Sequence, residues 1–410
     1  MKHKKDAGLR DFEEILELTL DAASRRAESL AGTERVEIEN SRGRVLAEDI
    51  RTDRDLPPFD RVAVDGYACR REDLPGPLEV VGTTSAGDSP AHTVDRGTCV
   101  KVMTGGVLPD GADTVLMIEH VEEHMLETGQ QVKYLGTDSQ AKSSNFSPRG
   151  EDVPEGTLVL ERGTVLGPKH TALLASVGYA TVSVITLPRV ALFSTGNEVV
   201  EPNALPEAHQ IRNANAPQTR TQLKELGIEP AYYGIVPDDE EALSETLERA
   251  GNENDLILMS GGVSMGDFDL APEAMLRNGF IVMYDRVAVK PGRPTTFSVS
   301  EKADLFGLPG NPVSCFVIFE ILVKPYLYRL MHGSYVPQRA FGTMAEKFER
   351  KKTARDEWLP VTVDAAGEVR PLEYHGSGHF QSISLADGLV KIDRGQSSLE
   401  KGETVAVRLV

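Results

Sequence analysis

Apolar positions along the chain fall into blocks of different period. Between residues 11 and 31, Phe12, Ile15, Leu16, Leu20 and Ala23 recur on one helical face and Gly32 ends the run, so the spacing predicts a docking helix. VEIENSRGRVLAEDI, residues 36–50, reads as a turn and a strand leading to the Pro57-Pro58 break. From about 60 to 148 the short runs LEVVGT, CVKVMTGG, DTVLMIEHV and QQVKYL, punctuated by Gly and Pro, predict a small β domain. Between Gly150 and Pro188 a helix near 168–177 lies between two strand-like runs. That piece is expected to pack back on the N-terminal helix, leaving the β domain as an insertion.

From Arg189 to about Tyr326 strand and helix patterns alternate: VALFSTGN, PQTRTQLKELG, YYGIV, DDEEALSETLERAG, DLILM, APEAMLRNG, IVMYDRVAV, TTFSV, DLFGLPG and PVSCFVIFEILV. This order predicts a three-layer α/β domain with a mainly parallel sheet. Asp238 or Asp239 suits the cap of the helix that Gly251 ends, and Pro312 sits at a helix start, where its missing N–H costs nothing. After Pro337 short strands return and read as a small β barrel or sandwich. The expected fold is multidomain α/β plus β, divided into 1–56 with 149–187, an inserted β domain 57–148, the α/β domain 188–334 and a C-terminal β domain 335–410.

Composition narrows the functional classes. The 410 residues carry 44 basic and 63 acidic side chains, a net charge of −19, which argues against nonspecific nucleic-acid or anionic-membrane binding. An anionic ligand would therefore need basic residues gathered locally. Cys69, Cys99 and Cys315 are far apart and lack C-x-x-C spacing, which suggests neither zinc nor a disulfide framework. The basic N-terminus leads into no signal-type apolar core, and the most apolar stretch, Cys315 to Val323, is short and contains Glu320, so a cytoplasmic protein is expected.

The chemistry concentrates in DLILMSGGVSMGDFD, Asp255 to Asp269. After a four-residue apolar run come Ser260, Gly261 and Gly262, whose N–H groups, with the hydroxyls of Ser260 and Ser264, are suited to face a phosphate-sized anion. Asp267 and Asp269 then offer hard oxygen ligands for Mg²⁺. Two other strand ends have the same build: Ser194-Thr195-Gly196-Asn197-Glu198 and Leu308-Pro309-Gly310-Asn311-Pro312. Ligands of open α/β sheets bind beyond such ends. Positive charge appears at Arg286, Lys290 and Arg293; each is worth on the order of 4 kcal/mol toward an oxyanion at about 4 Å, before desolvation, at an effective dielectric near 20. In the small β domain Asp60 and Asp65 flank a short apolar run, and Met103-Thr104-Gly105-Gly106 is a further glycine-rich loop. Each of these turns alone reads equally as plain loop chemistry. No Ser-His-Asp arrangement or Walker-type loop is evident, and His170, His375 and His379 show no ligand spacing.

The blocks FDRVAVDGYA, MTGGVLPDGADTVLMIE, PRGEDV, FSTGNE, SGGVSMGDFD, VKPGRP, LPGNPVS and HGSGHFQSISLADGL, in this order from about Pro57 to Gly388, resemble the molybdopterin molybdenumtransferases, the MoeA family that includes the E domain of gephyrin and its plant counterpart. The resemblance implies an enzyme that takes adenylylated molybdopterin and molybdate, cleaves the phosphoanhydride, releases AMP and leaves metal on the pterin dithiolene. It also implies Mg²⁺ and an elongated homodimer of four-domain subunits, with the cleft between the α/β domain of one and the small β domain of the other. A molybdopterin adenylyltransferase and molybdoenzymes are the implied protein contacts. Carried over by position, Asp65, Thr104, Glu198, Asp238, Asp269, Arg286, Lys290 and Arg293 fall on positions tied to activity, and Arg355 and Ser377 on positions associated with molybdate.

In this reading Asp65, Glu198 and Asp269 are catalytic, and Asp269, with Glu198 and Asp238, takes the metal. Whether Asp65 or Asp269 orients the attacking group stays open. Arg61 stands where the family commonly has a small or amide residue, Asn197 where an acid is frequent and Arg293 where lysine is usual, and SNFSP before Arg149 lacks extra basic residues. Three other readings remain: a molybdopterin adenylyltransferase, since the SGGVS loop is shared with that activity; tungstate in place of molybdate; and a non-catalytic scaffold of gephyrin type. The additional β domains and VKPGRP favour insertion over adenylylation.

Overall fold

A computed structural model describes residues 9–30, 32–89, 91–127, 129–137, 143–262, 270–372 and 380–410. Two compact units emerge. The first comprises Met1–Glu48, Arg162–Thr171 and Thr181–Val410, the second Asp49–Glu161 and Ala172–Ala180.

In the first unit, six strands form one sheet: β1 (Val190–Thr195), β2 (Ala231–Val236), β3 (Leu256–Ser260), β4 (Ile281–Tyr284), β5 (Thr296–Val299) and β6 (Asp304–Leu308), in spatial order β2-β1-β3-β6-β5-β4. The first four strands in that order run parallel; β5 and β4 add an antiparallel edge. All residues of β1, β3 and β6 are buried, as continuous apolar runs in a sheet covered on both faces require. Alternation then sorts them. Leu192, Leu256, Leu258, Phe306 and Leu308 join a cluster with α1 (Phe12–Ser29), α2 (Asn215–Glu225), α5 (Pro312–Ile318) and α6 (Lys324–Leu330). Ala191, Phe193, Ile257, Met259 and Leu305 face α3 (Glu240–Glu253) and α4 (Ala271–Arg277). The expected three layers are present.

The N-terminal helix is placed differently from the sequence expectation. Its buried face packs on the α/β core, where the Thr19 hydroxyl lies 2.9 Å from the Tyr284 hydroxyl and Arg26 meets Asp304 at 2.8 Å. The returning segment meets the strand after the helix instead, Thr181–Ile185 pairing antiparallel with Thr33–Glu37. Of the two candidate caps, Asp239 caps α3, accepting from the Ala242 N–H at 2.9 Å, and the helix runs past Gly251 to Glu253.

The run IVMYDRVAV is not one strand. β4 ends at Tyr284, the Val287 N–H turns to the Arg293 carbonyl at 3.0 Å, and Val289–Lys290 pairs in parallel with Asp356–Glu357. The cause is burial: Val287, Ala288 and Val289 are all withdrawn from solvent, so the chain leaves the sheet edge for the interior. The partner strand belongs to a closed barrel of β7 (Arg339–Met344), β8 (Asp356–Val363), β9 (Glu368–Pro371), β10 (Gly388–Ile392) and β11 (Thr404–Leu409), ordered β8-β9-β7-β11-β10, with β10 returning to β8. Leu359, Val361, Val369, Val390, Ile392 and Val407 fill it.

The second unit is a six-stranded half-barrel ordered Thr114–Met117, Gly66–Cys69, Thr98–Val102, Leu78–Thr84, Gly129–Tyr134 and Val121–Leu126. One face buries Val62, Ala68, Val100, Val102 and Val115; the other buries Tyr67, Cys69, Leu78, Cys99 and Val132. Among the described residues no helix is long and apolar enough to cross a membrane.

Candidate active site at the carboxyl edge of the sheet and on the barrel

Because β1, β3 and β6 are adjacent and parallel, with Ser194 opposite Ser260 and Ser260 opposite Leu308, their three polar turns lie side by side. The paired glycines answer first to this packing. Gly261 and Gly262 have φ of +87° and +58°; a Cβ on Gly261 would lie 2.6 Å from the Thr195 carbonyl oxygen, and one on Gly262 would lie 2.7 Å from Thr195 Oγ1. Two groups expected to face an anion are used within the protein. The Gly261 N–H donates to the Leu308 carbonyl at 3.2 Å. The Ser260 hydroxyl is buried 2.9 Å from that of Ser194, which donates to Asn213 Oδ1 at 3.2 Å. Neighbouring strand ends thus supply a partner for each of these groups within the protein. Ser264, Asp267 and Asp269 lie outside the described residues, as do Ser377, His375 and His379.

Three buried oxygens at this edge have no hydrogen-bond partner among the described residues: Thr195 Oγ1, Asn215 Oδ1 and Asn311 Oδ1. Asn215 spends its amide nitrogen on the Gly310 carbonyl at 2.9 Å, which fixes which side-chain atom is left over. An acceptor left without any partner costs about 1–3 kcal/mol, so each of these oxygens calls for a donor from outside the described residues. Asn213 and Asn215 were not among the residues expected at the site; the available signal was two amides spaced N-A-N at the start of a helix.

Glu198 and Asp238 are exposed at the ends of adjacent strands. Asn197 ties the two loops, its N–H donating to Asp238 Oδ2 at 3.1 Å while the Asp238 N–H donates to Asn197 Oδ1 at 3.2 Å. Exposed carboxylates are the donor type Mg²⁺ takes, but among the described residues no group of three or more His, Cys, Asp or Glu is placed to hold a metal.

The local positive charge predicted for an acidic chain is present on the barrel. A cavity of about 430 Å³ is lined by Lys290, Arg350, Lys351, Lys352 and Arg355, with the carboxylates of Glu349 and Glu357. The Lys290 ammonium donates to Glu357 Oε1 at 2.5 Å, and Arg355 Nη1 donates to the Val289 carbonyl at 3.3 Å, so two residues 65 positions apart share one site. Arg350 is buried and committed, bonding the carbonyls of Arg355, Asp393 and Gln396 at 2.8, 2.6 and 2.7 Å. Arg286 and Arg293, expected beside Lys290 in one cluster, do not line this cavity. Arg286 pairs with Asp285 at 3.7 Å, and the Arg293 carbonyl closes the loop by accepting from Val287 and Thr295, both at 3.0 Å.

In the second unit, Asp65 Oδ1 accepts from the Thr104 N–H at 2.7 Å and the Thr104 hydroxyl at 2.8 Å. The backbone bond first and then the hydroxyl hold this carboxyl below the usual carboxylate range. Arg149 is held by Asp55 at 2.6 Å. All three cysteines are buried, and burial pushes the Cys99 and Cys315 thiols up to about 12 and Cys69 further in the same direction, which makes them packing groups rather than nucleophiles.

A three-layer α/β domain with polar turns along its carboxyl edge, joined to a barrel that carries a cationic cavity, defines a multidomain protein equipped for anionic ligands. Residues 10–178 match the MoeA N-terminal region (domain I and II), 191–329 a probable molybdopterin binding domain, and 342–410 the MoeA C-terminal region (domain IV). The chain belongs to the MoeA family. It is 34% identical over 384 residues to a molybdopterin molybdenumtransferase of Staphylococcus aureus, covering 91% of this chain and 90% of the relative. A molybdopterin molybdenumtransferase of Staphylococcus epidermidis is 33% identical over the same length and shares. The crystal structure of a molybdopterin biosynthesis MoeA protein from Pyrococcus horikoshii OT3 superposes with a TM-score of 0.81 at 30% identity, covering 98% of this chain and 100% of that one.

Proposed function

We propose that this chain is a molybdopterin molybdenumtransferase that inserts molybdenum into molybdopterin during molybdenum-cofactor biosynthesis. The observation that carries the reading is the meeting of Lys290 and Arg355 in one cationic cavity of a chain whose net charge is −19. A tetrahedral dianion needs that concentration of charge, and a guanidinium fork suits its oxygens. Full-length likeness to enzymes named for this activity supports the same conclusion.

The finer reading is that the pterin substrate arrives adenylylated. The carboxyl edge of the sheet holds its phosphates, and molybdate waits in the barrel cavity. A water or a molybdate oxygen attacks the phosphorus on the pterin side of the phosphoanhydride, and AMP leaves with the electrons of the broken P–O bond. The two dithiolene sulfurs displace one molybdate oxygen, which leaves as water with the two thiol protons or stays on the phosphate where molybdate was the attacking group. The open acceptors Asn215 Oδ1 and Asn311 Oδ1 suit the N–H groups of a pterin ring. Asp65, ionised at neutral pH, accepts the proton of an attacking group. Glu198 and Asp238, with Asp269, would hold Mg²⁺, which when bound supplies charge neutralisation to the phosphates. The protein acts as a cytoplasmic homodimer in which Asp65 and Thr104 of one subunit complete the site of the other.

The test is a purified-chain assay with adenylylated molybdopterin, molybdate and Mg²⁺. AMP release coupled to molybdenum retained on the pterin supports the reading. ATP-dependent adenylylation of molybdopterin without insertion, or partner binding without any turnover, overturns it.

A further inference from the structure

Glu357 was absent from the sequence reading, yet it is the most deeply buried charged group in the cationic cavity. Its side chain is 2% exposed, beside Lys290 at 39% and Arg350 at 4%. The two residues face each other in the parallel ladder, Lys290 opposite Glu357, and the ammonium donates to Oε1 at 2.5 Å. The other carboxylate oxygen accepts from Arg350 Nη1 at 3.4 Å.

These contacts close a circuit. The same Arg350 nitrogen holds the Arg355 carbonyl at 2.8 Å, and the Arg355 guanidinium reaches back to the carbonyl of Val289, the residue before Lys290. One buried carboxylate is therefore linked to both cations assigned to the oxyanion, directly to Lys290 and through Arg350 to Arg355. A lysine on a four-carbon stem has many rotamers, whereas a short charge-assisted bond selects one.

Resting on the reading that this cavity takes the oxyanion, we propose that Glu357 is a positioning residue that aims Lys290 and Arg355 at a shared tetrahedral dianion. By field alone, a negative charge lining an anion site weakens binding, so neutralising it should tighten the complex. If positioning dominates, Glu357→Gln loosens Lys290 and binding weakens despite the gain in positive potential.

The experiment measures calorimetric affinity of the full chain for molybdate, with tungstate and sulfate as further probes, in wild type, Glu357→Gln, Lys290→Ala and the double variant. Melting temperatures of all four serve as the folding control. Glu357→Gln is expected to weaken molybdate about tenfold, the scale of one charge-assisted contact, and to raise KM for molybdate while kcat is retained. In the Lys290→Ala background the same substitution should cost clearly less, because only the link through Arg350 to Arg355 is left to lose. A general packing defect would add in both backgrounds. Tighter binding by Glu357→Gln, or full additivity in the double variant, overturns the proposal while leaving the cavity's role standing. Absence of oxyanion binding by the wild type overturns both.

Discussion

Asn197 and Asp238 exchange hydrogen bonds in both directions, at 3.1 and 3.2 Å, across the loops that follow adjacent parallel strands. The amide lets the Asp238 carboxylate approach a neighbour without facing a like charge. An acid at 197, frequent in the family that the sequence resembles, would lose that advantage and gain a ligand.

Asn197→Asp should therefore lower stability in the absence of divalent cations by less than about 1 kcal/mol, the scale of exposed charge pairs. Mg²⁺ should restore it, and the melting temperature of the variant should rise more steeply with Mg²⁺ than that of the wild type. Equal Mg²⁺ responses would remove Asp238 from the metal's surroundings.

The two glycines of the central turn make distinguishable demands. Alanine at 261 meets a backbone carbonyl, whereas alanine at 262 meets a side-chain hydroxyl. The left-handed backbone costs each substitution about 1–2 kcal/mol. Overpacking adds about 1–3 kcal/mol where the neighbour is unable to move. Gly261→Ala should thus be the more destabilising in urea unfolding, and Thr195→Ala, which removes the crowding hydroxyl and leaves the backbone carbonyl in place, should ease Gly262→Ala more than Gly261→Ala.

The contrast between what was legible in the sequence and what was not follows from the range of the interactions. Three adjacent polar turns were readable because each strand is a local apolar run that ends in small residues, and a parallel α/β alternation puts those ends on one edge. That the Gly261 N–H and the Ser260 hydroxyl are consumed internally was not readable, because their partners, Leu308 and Ser194, come from strands far away in the chain. Similarly, IVMYDRVAV has the composition of a single strand. Only the burial of Val287 to Val289 reveals that Lys290 leaves the sheet for the barrel, where it meets Arg355 and Glu357 rather than Arg286. Asn215 and Asn311 look like ordinary helix-start residues until it is seen that neither side-chain oxygen has a partner among the described residues.

Asp65 offers a pH test. The Thr104 N–H and hydroxyl together depress its carboxyl, so the stability it contributes is present above the ordinary carboxylate range and is lost as pH falls through its own lowered value. Thr104→Val removes the hydroxyl and keeps the backbone bond. The Asp65 carboxyl, followed by NMR titration, should move up toward its ordinary value without reaching it. If Asp65 works in its ionised form, the acid limb of the activity profile should move up by the same amount.

A buried ion pair anchors the N-terminal helix. Arg26 meets Asp304 at 2.8 Å with both groups mostly buried, and the Tyr326 hydroxyl donates to the other Asp304 oxygen at 2.6 Å. Burial still wins: desolvation raises the Asp304 carboxyl above its ordinary value even though Arg26 and Tyr326 pull it down. A raised carboxyl contributes stability that is fully present below the unfolded-state value, near 4, and is lost as pH climbs through the folded-state value. Removing the guanidinium in Arg26→Ala raises the carboxyl further and should cost about 3–5 kcal/mol at pH 7, as for a buried pair broken on one side. Because the stranded carboxylate can then take up a proton, the deficit relative to wild type should shrink toward pH 5, by at most about 1.4 kcal/mol per pH unit for one proton. Asp304→Asn in the Arg26→Ala background should abolish that pH dependence while keeping an acceptor for Tyr326. Urea unfolding of the wild type and both variants at pH 5 and 7 decides it, and a deficit that stays constant with pH would show that the lost contacts of the arginine stem, rather than the stranded buried charge, set the cost.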